Sequence, residues 1–429
     1  MKMGSPKIIV SDRRGKMYDL PFLEGTGMKG RNFFRLSPRE LIKMPHGSEL
    51  FMLPGRMPVG YDSRVRRFVA LEGFLPVAAF LSPGYAVTYN TSYSEVDSPK
   101  TLPLFSYGAV TLYKGDCYVA ALRVDRELRQ DLRCMKVHLV KKNVRKYRRL
   151  FPDNRLVRHL EGCALSYGCP AAKNFFLARY EAPLPTSPYC NARCIGCISY
   201  QPYDKCPITQ PRIKFIPTAE EIAEVALHHI NNVKDPVVSF GQGCEGEPLM
   251  VEKTIERSIK LIRKTTARGI INMNTNASRP EGVARLFDAG LNSIRVSLNS
   301  AREKYYLRYY EPRGYEYKDV IKSIETAKRK SGFVSINYLT MPGFTDSASE
   351  FNALTKLIER CGIDMIQWRN LNFDPLRYLE KLKVPESGQT LLGIRQTIRL
   401  LRKKFPRLMI GYFNPSNDRI KRNSGQGIR

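Results

Sequence analysis

The sequence predicts an α/β fold in which a barrel, or a partial barrel, of six strand–helix units follows an α+β region. Short β-type segments broken by turns fill the first part of the chain, and apolar β-type runs alternate with amphipathic helical patterns after residue 170. Such an alternation requires right-handed crossovers and a parallel sheet covered by helices. We therefore expect an accessory domain at residues 1–170, a barrel at residues 171–413 and a basic tail at residues 414–429.

The composition is that of an ordinary folded protein. Hydrophobic residues make up 43% of the 429 residues and charged residues 26%, which excludes a disordered polymer, a collagen and a coiled coil. The chain starts without a long apolar run, and its longest apolar stretch, at residues 74–81, contains Pro76 and is too short to span a bilayer. We expect a cytoplasmic protein with no membrane partner, in which the ten cysteines are reduced and clustered ones are metal ligands.

The accessory region is expected to begin with β structure and to end in a helix. A β segment is predicted at residues 50–54, and a hairpin at residues 109–113 and 117–124 around a Lys-Gly-Asp turn. A charged helical stretch follows from residue 125 to residue 149. This pattern indicates an α+β region without identifying its fold.

The barrel region alternates strands with helices that have recognisable starts and ends. The strand-like runs are expected at residues 175–181, 237–240, 270–275, 293–298, 333–339, 365–369 and 408–413. The helix starts are predicted from the pairs Thr218 with Glu221, Ser278 with Glu281 and Ser347 with Glu350, and the ends from Gly290, Gly332 and Gly362. In a barrel of this kind the functional loops lie at the carboxyl ends of the strands.

Three cysteines stand close together directly after the first of these runs. Cys190, Cys194 and Cys197 have the spacing C-x3-C-x2-C. Three thiolates so close in sequence can occupy three corners of one metal site, and thiolates are the ligands of iron–sulfur clusters. A closed zinc site needs four ligands, and Cys206 is the residue that could complete it. The spacing therefore predicts a metal site, with zinc as the alternative to an iron–sulfur cluster.

A second motif follows the second run, where residues 241–249 read GQGCEGEPL. Together with the cysteine loop it resembles the radical S-adenosylmethionine superfamily, whose signature is a C-x3-C-x2-C loop on a partial (β/α)6 TIM-like barrel. The resemblance covers residues 171–413. It implies that Cys190, Cys194 and Cys197 bind a [4Fe-4S] cluster whose remaining iron binds S-adenosylmethionine. An electron supplied by a donor such as ferredoxin or flavodoxin would cleave this cofactor to a 5′-deoxyadenosyl radical that abstracts hydrogen from a substrate.

The resemblance also implies which residues bind S-adenosylmethionine. Residues 245–248 match the family's Gly-Gly-Glu-Pro segment, whose main chain receives the ammonium group of the cofactor, and glycine lets a carbonyl approach the ligand without a Cβ in the way. Polar residues after the third and fourth strands match ribose and carboxylate contacts, and a Met-Pro-Gly turn after the fifth matches the adenine contact. The cofactor residues so implied are Glu245, Gly246, Glu247, Pro248, Asn274, Asn276, Arg295, Ser297, Asn299 and Met341.

Two positions depart from the family pattern. Gly196 stands before the third cysteine, where the family usually has an aromatic residue against adenine. Either Ile198 or Tyr200 is expected to supply that contact, or the adenine lies differently. Glu245 stands where the family has the first glycine, which would place a carboxylate beside the expected ammonium group.

Other cysteines allow a second metal or cluster site. Cys163 and Cys169 precede the first strand, and Cys206, with Cys117 or Cys134, could join them around a metal. The alternative is that they are small buried apolar side chains. Cys244, beside the presumed cofactor pocket, is expected to pack a tight turn.

The charge distribution points to a polyanionic partner. The formal net charge is +30, residues 141–150 read KKNVRKYRRL, and residues 387–417 contain no acidic side chain. Because phosphate binding releases counterions, structured RNA such as tRNA or rRNA is the first substrate hypothesis. The alternatives are a protein or peptide target recognised by the accessory domain, and a non-catalytic iron–sulfur or zinc protein that binds nucleic acid. A lysine-rich solvated surface would explain the charge equally well.

Overall fold

A computed structural model describes residues 4–96, 99–202 and 206–423. Within these residues there are two sheets, one antiparallel with fourteen strands and one parallel with seven. This arrangement confirms the predicted α/β class, with a partial barrel and an antiparallel amino-terminal region. Residues 424–429, the end of the predicted basic tail, lie outside the described residues.

The amino-terminal sheet contains strands β1 to β14. Their bounds are β1 Lys7–Ser11, β2 Met17–Glu24, β3 Thr26–Lys29, β4 Asn32–Arg35, β5 Leu41–Lys43, β6 Glu49–Met52, β7 Arg56–Asp62, β8 Arg67–Ala70, β9 Leu75–Phe80, β10 Tyr85–Val87, β11 Asn90–Thr91, β12 Tyr93–Glu95, β13 Gly108–Tyr113 and β14 Asp116–Arg123. The central path runs β12-β7-β2-β1-β9-β13-β11-β3-β4. The predicted hairpin is confirmed, since β13 and β14 pair antiparallel around Lys114 and Gly115, both with positive φ.

Three helices connect this sheet to the parallel one: α1 Val137–Leu150, α2 Arg155–Leu165 and α3 Pro170–Phe176. Their shared core contains Tyr147 from α1, Leu160 from α2 and Phe175 from α3, all buried. The sequence-based expectation of a strand at residues 175–181 is wrong for most of its length. Helix α3 ends there, and β15 comprises only Glu181–Pro183.

The parallel sheet is built from seven strands in sequential order, β15 to β21. The remaining strands are β16 Val237–Phe240, β17 Ile270–Thr275, β18 Ser293–Leu298, β19 Phe333–Thr340, β20 Met365–Asn370 and β21 Met409–Gly411. The remaining helices are α4 Ala219–Asn232, α5 Glu252–Thr265, α6 Pro280–Asp288, α7 Glu303–Tyr310, α8 Tyr317–Arg329, α9 Ala348–Cys361, α10 Pro375–Lys381, α11 Ile394–Lys404 and α12 Asn417–Asn423. The strand–helix alternation is the partial barrel that the sequence predicts.

Two of the three predicted helix starts are confirmed. The Thr218 hydroxyl accepts a hydrogen bond from the Glu221 main-chain N–H in a complete capping box, and the Ser347 hydroxyl accepts one from Glu350. Ser278 does not cap α6, because Arg279 occupies the cap position and makes no side-chain cap bond.

The open side of the partial barrel is bridged by polar contacts. Asn414, after β21, donates from Nδ2 to the Glu181 carboxylate of β15 at 2.7 Å. Asp125, between the amino-terminal sheet and α1, accepts the main-chain N–H of Tyr412 at 2.8 Å and the Arg419 guanidinium at 3.0 Å. These contacts place the first and last strands beside each other.

The amino-terminal sheet packs against the carboxyl ends of β19 and β20. The side-chain amide of Asn370, the last residue of β20, accepts the Val87 N–H at 2.9 Å and donates to the Tyr85 carbonyl at 3.0 Å. The buried Arg56 guanidinium pairs with the buried Asp374 carboxylate at 2.6 Å. The amino-terminal sheet therefore lies at the edge of the barrel where functional loops are expected.

Candidate functional site

The cysteine loop lies at the carboxyl end of β15, as the sequence predicts. Cys190, Cys194 and Cys197 are partly buried, and all ten cysteines of the chain are free thiols. Ser187 starts the loop, and its hydroxyl accepts the Tyr189 N–H at 3.2 Å. The loop thus presents three thiols at the barrel edge where the strands end.

Main-chain hydrogen bonds join the cysteine loop to the segment after β16. The Gly246 N–H donates to the Ser187 carbonyl at 2.6 Å, and the Glu247 N–H donates to the Tyr189 carbonyl at 2.7 Å. A Cβ at position 246 would overlap the Tyr189 carbonyl. Glycine is therefore required here by the approach of the two loops.

The opposite flank of the cysteine loop is held by the end of α7. The Arg193 N–H donates to the Tyr310 carbonyl at 2.8 Å, and the Ile195 N–H donates to the Tyr309 carbonyl at 3.0 Å. A Cβ at Gly196 would lie 2.8 Å from the Tyr309 hydroxyl. The absence of an aromatic residue at position 196 thus has a steric cause, because the tyrosine of α7 fills that space.

The two residues expected to replace the missing aromatic contact lie differently. Ile198 packs against Gly243, where an added Cβ would come 2.7 Å from the Ile198 Cδ1. Tyr200 is exposed and lies beneath the Arg212 guanidinium, with 5.2 Å between the guanidinium carbon and the ring centroid. Ile198 therefore contacts the segment after β16, while Tyr200 faces solvent.

The three thiols are partly buried, with the Glu247 carboxylate and one cation nearby. Burial raises the pKa of Cys190 to about 11 and that of Cys194 well above its usual range, and the neighbouring cysteines add to both shifts. Arg212 acts in the opposite direction, and its Nη2 lies 3.8 Å from the Cys197 Sγ. Since thiolates bind soft metals, a cation is needed here to hold these buried sulfurs deprotonated. The donor set fits an iron–sulfur cluster.

The Glu245 carboxylate is held by main-chain N–H groups at the start of the cysteine loop. It accepts the main-chain N–H groups of Thr186 at 2.7 Å, Ser187 at 3.0 Å and Gln242 at 2.6 Å, and it is buried. With these donors on both oxygens, the carboxylate fixes the start of the cysteine loop. Its expected position beside an ammonium group stays a prediction.

Glu247 links the same segment to the end of β17. Its carboxylate accepts the Asn276 N–H at 2.7 Å, the Leu249 N–H at 3.1 Å and the Thr275 hydroxyl. Burial raises the pKa of Glu247 to about 7, although these hydrogen bonds act to lower it. Pro248, which follows, begins a 3-10 turn. The four residues at 245–248 thus connect three successive strand ends.

Asn276 connects the end of β17 back to the cysteine loop. Its Nδ2 donates to the Asn191 Oδ1 at 2.8 Å, and the Asn191 Nδ2 donates to the Ser278 hydroxyl at 3.0 Å. Because Asn191 directly follows Cys190, this network positions the first cysteine.

Asn274 and Arg295 lie deeper, in a polar layer inside the barrel. The Asn274 Nδ2 donates to the Gly241 carbonyl at 2.9 Å. The Arg295 Nη1 donates to the Gln367 Oε1 at 3.1 Å. Asn414 contacts both, its Nδ2 donating to the Asn274 Oδ1 at 3.4 Å and its Oδ1 accepting from Arg295 at 3.4 Å. Both residues face the barrel interior from below the strand ends.

A second arginine stands beside Arg295. Arg369 of β20 also donates to the Gln367 Oε1, at 3.5 Å. Within the described part of the chain, the Nε atoms of both arginines are buried without a hydrogen-bond partner. Burial lowers the pKa of Arg295 to about 9, and the charge of Arg369 lowers it further, against the attraction of Glu181. The barrel interior is therefore cationic at this level.

Ser297 and Asn299 stand at the end of β18. Ser297 is partly exposed on the same side of the strand as Arg295. Asn299 is fully buried, and its Nδ2 donates to the Tyr305 carbonyl at 3.1 Å and to the Tyr378 hydroxyl at 3.2 Å. Its Oδ1 has no hydrogen-bond partner among the residues that the structure describes. Asn299 therefore holds α7 in place through its Nδ2, and its side-chain Oδ1 is the atom that could bind a ligand.

Met341 lies in a turn that the amino-terminal sheet covers. Its Sδ accepts a hydrogen bond from the Asn90 Nδ2 at 3.2 Å, and its side chain is fully buried. Two residues later, a Cβ on Gly343 would overlap the main chain of Gly30. The turn is therefore an interface between the two sheets, and the expected adenine contact stays a prediction.

The second group of cysteines is arranged differently from the expectation. Within the described residues, the ligand atoms of His159, Cys163 and Cys244 lie within 4.8 Å of one another. Cys206 is outside this group, and its Sγ donates to the Leu102 carbonyl at 3.4 Å. Cys169 stays near Cys163, since its N–H donates to the Cys163 carbonyl at 3.0 Å. His159 and Cys244 thus take the place that the sequence-based hypothesis gave to Cys206.

The basic run is the exposed face of α1. Its exposed basic side chains are Lys141, Lys142, Arg145, Lys146, Arg148 and Arg149. Of these, Arg148 pairs with Glu161, with Nε donating at 2.7 Å. A similar exposed face on α11 carries Arg395, Arg399, Arg402 and Lys403.

Sequence reasoning missed two residues at the site: Arg212 and Arg369. Arg212 lies in a loop outside any motif, so its distance from Cys197 could not be inferred. Only Arg369 could have been identified from the sequence. Side chains alternate between the two faces of β20, which puts Arg369 on the interior face with Gln367.

No helix within residues 4–96, 99–202 and 206–423 combines the length and the apolar character that crossing a bilayer would require.

Residues 184–354 match the family model described as the radical SAM superfamily. The matched range starts just before the cysteine loop and ends within α9. No curated protein sequence matches the chain.

Several solved structures are similar to the chain. SuiB of Streptococcus suis bound to the precursor peptide SuiA is 15% identical over 58% of this chain and 50% of its own, with a TM-score of 0.37. The FeFe-hydrogenase maturase HydG of Carboxydothermus hydrogenoformans is 16% identical over 67% of this chain and 72% of its own, with a TM-score of 0.38. A radical SAM methyltransferase of Sphaerobacter thermophilus is 14% identical over 52% of this chain and 62% of its own, with a TM-score of 0.37. The chain thus spans half of SuiB and less than two thirds of the methyltransferase.

Proposed function

We propose an enzymatic function from the premise that this chain, through residues 184–354, belongs to the radical S-adenosylmethionine superfamily. The family implies a [4Fe-4S] cluster, S-adenosylmethionine and a reductant. In this chain Cys190, Cys194 and Cys197 are the residues that would hold the cluster. The observation that carries the proposal is the pair of main-chain hydrogen bonds that joins the cysteine loop to Gly246 and Glu247.

When bound, the cluster supplies the electron that cleaves S-adenosylmethionine reductively, and a ferredoxin or flavodoxin would deliver that electron. The protein's part is to bind and to orient. The main chain of residues 246–248 would receive the methionine end of the cofactor, because it lies directly against the cysteine loop. Asn276, Ser297 and the free Oδ1 of Asn299 surround the same edge and would bind its polar groups. The buried surroundings of the thiols would exclude water.

Arg295 and Arg369 favour an anionic ligand in the barrel interior. They share the Gln367 Oε1 and repel each other, so a carboxylate or phosphate between them would relieve an unfavourable arrangement. The family resemblance assigns Arg295 to the carboxylate of S-adenosylmethionine. An anionic group of the substrate is the second ligand that this pair suits.

The substrate we propose is structured RNA, tRNA or rRNA. The net charge of +30 and the exposed basic face of α1 support a polyanionic partner. We further propose that residues 1–170 form the substrate-recognition domain. Its sheet lies against the strand ends of β19 and β20, where a large substrate would approach the barrel.

Release of 5′-deoxyadenosine tests the enzymatic proposal. The protein is purified without oxygen, loaded with iron and sulfide, and incubated with dithionite and S-adenosylmethionine, and the nucleoside is measured by mass spectrometry. We expect release from the wild type, at least about tenfold less from Cys194→Ala, and no loss from Cys117→Ala, whose thiol lies in the amino-terminal sheet. A wild type that releases none is a binding protein and not an enzyme.

RNA binding at increasing salt tests the proposed substrate. The triple variant Lys141→Glu, Lys142→Glu, Arg145→Glu should weaken tRNA or rRNA binding. The slope of the logarithm of the binding constant against the logarithm of the salt concentration should become less negative by roughly 2 to 3. The control is Lys253→Glu, Lys264→Glu, Lys356→Glu, which makes the same charge change at exposed positions of α5 and α9. Weak, salt-insensitive binding by the wild type would contradict an RNA substrate, and 5′-deoxyadenosine release without it would favour a protein or peptide target.

A further inference from the structure

We propose that His159, Cys163, Cys169 and Cys244 form a zinc site separate from the cysteine loop. The site joins two parts of the chain that are distant in sequence: His159 and Cys163 lie on α2, Cys169 caps α3, and Cys244 lies in the segment after β16. The inference concerns these four residues alone, and it holds whether or not the proposed enzymatic function is correct.

The distances suit one metal ion. The His159 Nε2 lies 3.5 Å from the Cys163 Sγ, and the ligand atoms of His159, Cys163 and Cys244 lie within 4.8 Å of one another. Zinc bonds of about 2.3 Å to sulfur and about 2.0 Å to nitrogen, at a tetrahedral angle, place the two ligand atoms roughly 3.5 Å apart. His159 and Cys163 are separated by one helical turn, which puts both side chains on one face of α2.

Cys169 is the fourth ligand that we assign to this site. Its thiol lies outside the group of three whose ligand atoms are within 4.8 Å of one another, but its main-chain N–H donates to the Cys163 carbonyl at 3.0 Å, so metal binding would need its side chain to turn toward the other three. Three thiolates and one imidazole form a closed site of the kind that zinc occupies in structural roles. The Gln210 Nε2 donates to the Cys163 Sγ at 3.1 Å, as an outer donor to a metal-bound thiolate does.

The same distances argue against an iron–sulfur cluster at this place. A cubane cluster distributes its cysteine ligands over different iron atoms, which keeps the sulfurs farther apart than the ligands of one ion. In the described residues, the three cysteines at 190, 194 and 197 do not form such a close group, whereas His159, Cys163 and Cys244 do. The two sites therefore differ in the metal centre that they suit.

A metal here would restrain the segment that contacts the cysteine loop. Cys244 directly precedes Glu245, whose carboxylate fixes Thr186 and Ser187 at the start of that loop. The Cys244 carbonyl accepts the Ile213 N–H at 2.7 Å, so Cys244 is held on its main-chain side as well. The zinc ion would fasten α2 and α3 to this junction.

Elemental analysis and zinc X-ray absorption on the full-length wild-type protein test the site. We expect about one zinc per chain, with three sulfur neighbours at about 2.3 Å and one nitrogen at about 2.0 Å. The zinc edge is specific to its element, so iron bound elsewhere does not interfere. A chain that binds no zinc when it is supplied, or any other set of neighbours, overturns the proposal.

Two variants and one control link the zinc to these residues. Cys163→Ser and His159→Ala should each lower the zinc content at least about fivefold while leaving the iron content of the reconstituted protein unchanged. Cys361→Ser, at a buried cysteine on α9, should retain zinc. Retained zinc in both variants overturns the assignment, as does a Cys163–Cys244 disulfide found by mass spectrometry of the alkylated wild type. If the variants fail to fold, the zinc X-ray absorption spectrum of the wild type tests the proposal by itself.

Discussion

Arg212 shows, at the scale of single residues, how a side chain outside any motif can lie beside the proposed cluster ligands. Its Nη2 lies 3.8 Å from the Cys197 Sγ, and its Nε donates to the Ser199 hydroxyl at 3.3 Å. Positive charge near a cluster stabilises its reduced, more negative state. The cysteine spacing could be recognised from the sequence, but this charge could not, because a loop brings it back across fifteen positions.

Removing this charge should lower the reduction potential of the cluster. A charge-assisted hydrogen bond contributes about 1.5–3 kcal/mol, which corresponds to a decrease of roughly 60–130 mV for a one-electron couple in Arg212→Met. Redox titration followed by electron paramagnetic resonance measures the shift. The control is Arg212→Lys, which keeps the charge and should shift the potential less. Equal potentials for wild type and Arg212→Met would show that the guanidinium does not act on the cluster.

His229 makes the stability of the fold sensitive to acid. It is 1% exposed, its Nε2 lies 3.3 Å from the Tyr180 carbonyl, and burial lowers its pKa to about 4, with His228 adding to the shift and the Tyr180 carbonyl opposing it. The unfolded chain protonates this histidine near pH 6.5, and the folded chain protonates it only near pH 4. The part of the free energy of unfolding that comes from the neutral histidine is therefore complete above pH 6.5 and is lost as the pH falls.

We expect the free energy of unfolding to decrease by roughly 3 kcal/mol between pH 6.5 and pH 4 because of this residue. His229→Gln should remove that part of the pH dependence, while His138→Gln, at an exposed histidine, should leave it unchanged. Denaturant titrations at several pH values measure both. An identical acid dependence in wild type and His229→Gln would contradict the assignment.

At the scale of elements, local signals predicted the helices better than the first strand. The capping pairs at Thr218 and Ser347 lie where the structure starts α4 and α9, because both are satisfied by bonds within one turn. The apolar run at 175–181 was predicted as a strand, yet Phe175 and Phe176 end α3. A short apolar run fits a buried strand and a buried helix alike, and contact with Tyr147 of α1 decides between them.

The junction between the cysteine loop and the segment after β16 should tolerate no side chain at position 246. Gly246→Ala would push the Cβ into the Tyr189 carbonyl and break the bond from position 246 to Ser187. We expect the iron content after reconstitution to fall at least about threefold and stability to fall by roughly 1–3 kcal/mol. Iron analysis and thermal unfolding measure the two effects.

The control for this prediction is Gly162→Ala on α2, where an added Cβ meets nothing within 4 Å and alanine favours the helix by about 0.5–1 kcal/mol. It should keep its iron. A Gly246→Ala protein with full iron content would show that the two loops can separate without consequence for the site.

At the scale of the whole molecule, the amino-terminal sheet is fastened to the barrel by a buried ion pair. Arg56 of β7 and Asp374 at the start of α10 have fully buried side chains and lie 2.6 Å apart, and the Tyr93 hydroxyl donates to the same carboxylate at 3.1 Å. The sequence predicted that there would be two regions. It could not predict this contact, because the local pattern at Asp374 indicates only a helix cap and the two residues are 318 positions apart.

Breaking this pair should destabilise the chain strongly. Arg56→Met leaves the Asp374 carboxylate buried without its cation, and we expect a loss of roughly 3–5 kcal/mol. Arg257→Met, which removes an exposed partner of Glu220, should cost less than about 1 kcal/mol. Denaturant unfolding under anaerobic conditions compares them, and similar losses for both variants would contradict a central role for the buried pair.

The central claim is that the cysteine loop holds an iron–sulfur cluster with one iron free to bind S-adenosylmethionine. Electron paramagnetic resonance of the dithionite-reduced protein, recorded with and without S-adenosylmethionine, tests it most directly. We predict the signal of a reduced [4Fe-4S] cluster that changes shape when the cofactor is added and is missing in Cys194→Ala. A signal that the cofactor leaves unchanged, or one that survives in Cys194→Ala, would contradict the account.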